Sequence, residues 1–142
     1  MSFRYIDTHA HLNLGQFAED RDEVIKKNRT AGVACINVGT HKATSERSVQ
    51  LASEHDDMWS IVGLHPINTI SKDPDDLSSA VETEFDHDFY KDLTTREKVV
   101  GIGECGFDYW HNPDSTYEQQ REVFLAQIAL ANETSLPLML HL

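Results

Sequence analysis

Five short apolar runs, separated by segments with helical patterning, constrain this chain more than any other feature. The runs are Tyr5-Ile6, Ala34–Val38, Trp59–Leu64, Val99–Ile102 and Leu136–Leu140. Runs this short, bounded by turn residues, read as buried strands. Strands that alternate with helices imply βα units around a parallel sheet. The spacers support this reading. Asp20 and Glu23 have capping-box spacing ahead of Val24, Ile25 and Ala31, and Gly32 suits a helix end. Thr44 to His55 reads as a second helix. Pro74 followed by Asp75 and Asp76 reads as a third helix start, with acids at the positive end of the dipole. Ser115 and Glu118 form another capping box. Phe124, Ile128 and Ala131 then recur at i, i+4 and i+7 as one apolar face, which Pro137 ends. The longest irregular region, residues 66–98, is expected to carry an extra helix or a lid over one end of the sheet.

The polar residues are placed with more order than the apolar ones. The first run leads into Asp7, His9 and His11, the third into His65-Pro66, the fourth into Glu104, and the fifth into His141. In α/β folds the C-terminal ends of parallel strands form the binding face, because the loops converge there. Four of five runs thus deliver metal-type ligands to one face. His9 and His11 are two residues apart, and side chains at i and i+2 of a strand share a face. Both imidazoles can grip one ion there, with Asp7 in support. His65 suits contact with substrate. His41, His55, His87 and His111 lack such placement and read as surface residues, with His111 nearest the site mouth.

Residues 101–106, GIGECG, spell the glycine pattern of a dinucleotide-binding loop. That loop must pass straight into a helix whose N-terminus holds the pyrophosphate. Here FDYWHNP follows instead, and the capping box at Ser115 lies nine residues beyond Gly106. The first two glycines lie within the strand, and Glu104 would repel a pyrophosphate. The cofactor reading is rejected. The glycines instead let Glu104 lie close to other groups, and its two carboxylate oxygens suit a bridge between two cations.

Composition narrows the function classes. No apolar run approaches the roughly 20 residues of a membrane helix, and MSFRYIDTHAH turns polar too early for a secretory signal. Cys35 and Cys105 sit inside apolar runs and make no disulfide framework, which points to a reducing, cytoplasmic setting. The net charge of −12 argues against a charge-driven grip on nucleic acid. It leaves room for a nucleic-acid enzyme whose positive charge comes from bound metal ions. Eight acids and one lysine between Asp73 and Asp92 read as a solvated surface.

IDTHAHL, VGLHP, GIGECGFDY and LPLMLH stand in the order and spacing of the TatD-type metal-dependent deoxyribonucleases, members of the amidohydrolase-like barrels. FAEDRDEVIKKNRTAGV, INVGT and YEQQREVFLAQIALANETSLP also resemble that family. The resemblance implies a (β/α)8 TIM-barrel type fold, of which residues 1–142 would hold the first five strands and four helical segments as one incomplete domain. It implies two divalent metal ions, Mg, Mn or Zn, with His9 and His11 on one, Glu104 bridging as the catalytic carboxylate, and His141 on the second. His65 and Tyr109 would lie near substrate, and Asp108 would shape the loop after the fourth strand. The implied reaction is hydrolysis of phosphodiester bonds in DNA, often from the 3′ end of single strands, by metal-activated water.

Such a barrel usually takes about 250 residues. The family's arginine after the fifth-strand histidine, a further histidine and a late aspartate have no counterpart here. The expectation is a piece of a longer protein; the alternatives are an incomplete gene product, or two copies that pair through open sheet edges. Two other functions compete: a barrel hydrolase acting on a small ester, amide or lactone, and a half-barrel that holds a metal or partner without turnover.

Overall fold

A computed structural model describes residues 3–74, 76–77 and 79–141. One sheet contains β1 (Tyr5–Ala10), β2 (Val33–Val38), β3 (Met58–Val62), β4 (Val99–Gly106) and β5 (Leu138–His141). The strands lie in sequence order, and every neighbouring pair is parallel. Between them run α1 (Arg21–Ala31), α2 (Lys42–Glu54), α3 (His87–Thr94) and α4 (Tyr117–Thr134). Parallel crossovers are right-handed. Stepping in one direction each time therefore puts the helices on one side and curls the sheet into an open half-barrel. There is no reversal of strand order, so no crevice of the doubly wound kind forms. Among the described residues no helix is long and apolar enough to cross a membrane.

The core lies under the middle of the sheet. Val62, Leu64, Val99 and Ile102 pack with Tyr90, Leu93, Val123, Leu130 and Ala131 from the helices. A smaller cluster joins Leu12, Ile25, Cys35, Leu51 and Met58. Cys35 and Cys105 are free and buried. At the rims, Tyr5, Ile6 and Leu140 remain 55%, 49% and 47% exposed.

Local chemistry explains the helix limits. Asp22 and Glu23 lie in the first turn of α1 and Arg29 in its last, which suits the macrodipole. Gly32 ends it at φ 71°, where a Cβ would be strained. Asp20 and the Ser115 region make no side-chain caps; α4 starts at Tyr117, after a short 3-10 turn over Asp114–Thr116. No helix starts at Pro74, which lies in a turn, and Asp75 lies outside the described residues. The helix of that region is α3, where the Asp86 side chain accepts the Phe89 N–H at 3.2 Å and Tyr90 and Leu93 are buried three residues apart. Apolar periodicity, absent just after Pro74, decided its position.

The buried face of α4 comprises Gln120, Val123, Gln127, Leu130 and Ala131; Ala131 lies where the apolar reading puts it, whereas Val123 and Gln127 are buried one position ahead of the half-buried Phe124 and Ile128. Gln127 explains the offset. Its Oε1 accepts the Leu64 N–H at 3.0 Å and its Nε2 donates to the Leu64 carbonyl at 2.9 Å. The amide thus pairs the backbone just past the end of β3, where no strand neighbour does so.

His41 is not a surface residue: it is fully buried, with Nε2 3.3 Å from Asp76 Oδ2. Asp76 is likewise buried, so the acidic run is not solvated throughout. The segment after β3 folds back over the start of α2, where the Lys42 N–H donates to Glu82 Oε1 at 2.9 Å.

Candidate metal centre

The strand ends converge as the sequence pattern implies. Irregular register falls between Asp7 and Ala10 on β1 and between Ile102 and Cys105 on β4. These two stretches contain His9 and Glu104, and such bulges re-aim side chains. Gly103 adopts φ 140°, and a Cβ there would lie 2.5 Å from the Met139 carbonyl oxygen. Only glycine lets the backbone pass this close to β5 and present Glu104.

Glu104 is the hub. Its Oε2 lies 2.9 Å from His9 Nε2 and 4.0 Å from His11 Nε2. Its Oε1 lies 2.9 Å from His141 Nδ1 and 3.8 Å from His65 Nε2. Two ligand groups result, His9–His11–Glu104 and His65–Glu104–His141, with the ligand atoms of each within 4.8 Å of one another. Metal–ligand bonds of about 2.0–2.2 Å place neighbouring ligand atoms at such separations. One carboxylate oxygen serves each group, and each group can coordinate a divalent ion.

The ring partners fix which nitrogens are free. His11 Nδ1 lies 3.0 Å from the Val38 carbonyl, to which it can only donate. Its Nε2 therefore keeps a lone pair toward Glu104, the tautomer a metal ligand needs. His65 is set the other way. Its Nδ1 accepts the Ile67 N–H at 3.1 Å, so the proton of the neutral ring sits on Nε2. That nitrogen is then a donor toward an oxygen, and it becomes a ligand only by giving up the Ile67 bond. It also lies 3.1 Å from His141 Nδ1.

The ionisation states suit a cation. Burial pushes the Glu104 carboxyl up, but the His141 hydrogen bond and the charges of His65, His9 and His141 together hold it down to about 2. Burial lowers His65 to about 4 against the pull of Glu104, and burial also lowers His11. The Glu104 hydrogen bond raises His141. At neutral pH Glu104 is an anion and His65 a neutral imidazole.

The supporting residues are placed as follows. Asp7 Oδ1 accepts the His9 backbone N–H at 3.0 Å and so steadies the strand end. Asp108 is buried; its Oδ1 accepts the N–H groups of Trp110 and His111 at 2.9 and 2.8 Å. Its Oδ2 meets His111 Nδ1 at 2.8 Å and lies 3.8 Å from His141 Nε2, beyond hydrogen-bond reach but close enough for its charge to favour the protonated ring. Tyr109 stands at the rim, 56% exposed. The sequence reading missed Gln120, whose Oε1 accepts the Asp108 N–H at 2.7 Å, and Asn13, which donates to the Val38 carbonyl at 2.9 Å. The spacing of Gln120 and Gln127, two helical turns apart and flanking Val123, was the available signal.

A family model described as "TatD related DNase" matches residues 6–142. The chain belongs to this family. Among TatD-related proteins, it is 38% identical over 136 residues to "Uncharacterized metal-dependent hydrolase YabD" of Bacillus subtilis (strain 168), covering 95% of this chain and 49% of that protein. It is 36% identical over 136 residues to "3'-5' ssDNA/RNA exonuclease TatD" of Klebsiella pneumoniae (strain 342), covering 95% of this chain and 48% of that protein. The crystal structure of YJJV, a TatD homolog from Escherichia coli K12, superposes with a TM-score of 0.78 at 27% identity, over 99% of this chain and 51% of that one. The chain spans about half the length of the curated relatives it matches.

Proposed function

We propose that this chain carries the metal-holding part of a hydrolase that cleaves phosphodiester bonds of DNA, single strands foremost, and that residues 1–142 are one incomplete barrel domain. The observation that carries the reading is Glu104, each of whose oxygens faces its own set of histidines. His9, His11 and Glu104 would hold one divalent ion, Glu104 and His141 a second. Bound there, Zn, Mn or Mg would supply the Lewis acidity that polarises a phosphate and activates water. His65 donates its Nε2 proton to a phosphate oxygen, and its burial keeps that donor neutral. Asp108 shapes the turn that brings Tyr109 to substrate. Asp7 holds the His9 backbone. The buried free thiols fit a cytoplasmic protein. Tyr5, Ile6 and Leu140 would be covered by further protein, the remainder of a barrel or a second copy.

A second reading, hydrolysis of a small ester, amide or lactone, is favoured by the net charge of −12 and by one feature of the site. Among the described residues, every side-chain partner of Glu104 is a histidine, so no lysine or arginine awaits a phosphate there. End-labelled single-stranded DNA and a small ester, each offered with Mn²⁺ and with EDTA, separate the two. Manganese-dependent shortening of the DNA supports the nuclease reading. Turnover of the ester alone overturns it.

A further inference from the structure

The loop after β4 offers aromatic surface at the rim of the same site. Trp110 is 90% exposed and Tyr109 56%. A tryptophan this open forgoes the burial that usually positions it, so the loop takes its shape from other contacts. Asp108 supplies them. One of its oxygens binds the Trp110 and His111 amides, while the other lies 3.8 Å from His141 Nε2. A single carboxylate therefore sets the aromatic turn at a fixed offset from the metal centre.

Tyr109 is fixed as well. The Phe107 ring lies parallel to Tyr109 (2°, 5.7 Å) and to Tyr117 (6°, 5.1 Å), and edge-on to Phe124 of α4 (80°, 5.6 Å). The rings are oriented before any ligand arrives, which lowers the entropy lost when one binds. Charge adds a third argument. The chain is acidic, and among the described residues every side-chain ion partner of Glu104 is a histidine, so a contact that needs no side-chain cation would add grip on a strand. Stacking on aromatic rings is such a contact.

We propose that Trp110, with the Phe107–Tyr109 stack beside it, is a stacking subsite for an unpaired nucleobase next to the phosphodiester at the metal centre. The proposal rests on the nucleic-acid reading above and deepens it. A base inside a duplex already has both faces covered, so the subsite selects single strands. Every base has a π-face, so it does so with little sequence preference.

The test is binding without turnover. Fluorescence anisotropy follows a labelled single-stranded phosphorothioate oligonucleotide of mixed sequence with Mn²⁺, and an abasic strand of the same length. The full-length protein, Trp110→Ala and Trp110→Phe are compared. The expected result is binding weakened roughly five- to hundredfold by Trp110→Ala, largely restored by Trp110→Phe, and equally weak abasic binding by all three. Equal losses on both strands, no loss, or tight abasic binding by the unaltered protein overturns the proposal. So does a Trp110→Ala change in oligomeric size or Tm without a base-dependent loss, which would assign Trp110 to a protein contact. The nuclease reading fails separately, as absence of phosphodiester cleavage with any divalent ion.

Discussion

Ile102 on β4 and Ile6 on β1 are the same residue type on the same sheet, yet Ile102 is fully buried and Ile6 is 49% exposed. The middle of the sheet is packed by helices and paired on both sides. β1 and β5 are paired on one side only. The metal centre spans both regimes. Glu104 and His65 come from the middle and are buried, whereas the His9 side chain on β1 is 41% exposed. The buried carboxylate would fix where cations sit, with the partly exposed His9, His11 and His141 beside it as further ligands.

Substitutions that move between the regimes sharpen this contrast. Ile102→Ala should cost about 3–4 kcal/mol, the range for a buried branched side chain that leaves a cavity. Ile6→Ala should cost under about 1 kcal/mol, because much of its surface is already in water. Urea unfolding of both variants reads the difference, and equal losses would mean that β1 is packed as tightly as β4. Gly103→Ala should cost about 3 kcal/mol, from the strain of φ 140° and the collision with the Met139 carbonyl. Gly32→Ala should cost only about 1 kcal/mol, since its nearest neighbours lie 3.7 Å from the new Cβ and the backbone preference alone is lost.

The smallest effect belongs to the far end of the sheet. A hydrogen bond from Arg29 holds the Asp57 carboxyl below its ordinary value. A depressed acid stabilises the fold above its unfolded value and loses that contribution as pH falls through its native one. Asp57→Asn should therefore lower Tm by no more than about 3 °C at pH 7. Its Tm should then converge with that of the unaltered protein as pH falls below 3.8. A gap that widens on acidification would show that Asp57 is not held as an anion.

The strands were legible because each is a short apolar run, and the site because four of the five runs lead into a histidine or a carboxylate. The positions that escaped are polar residues buried for backbone reasons. Gln127 replaces a strand neighbour for Leu64, Gln120 supports Asp108, and His41 faces Asp76 under a folded-back segment. A hydrophobic pattern reads each of these as surface. The opposite roles of the His11 and His65 rings were also hidden, because they depend on the Val38 carbonyl and the Ile67 amide. Those partners become neighbours of the rings only in the fold.

The central claim is that Glu104 joins two cation sites, and titration of Mn²⁺ into the protein and into Glu104→Gln by calorimetry tests it most directly. The unaltered protein should bind two ions per chain at saturation. Folded Glu104→Gln, with unchanged circular dichroism, should lose both, each weakened by at least about a hundredfold, because the bridging anion is gone. Retention of either ion at its original affinity would contradict the account.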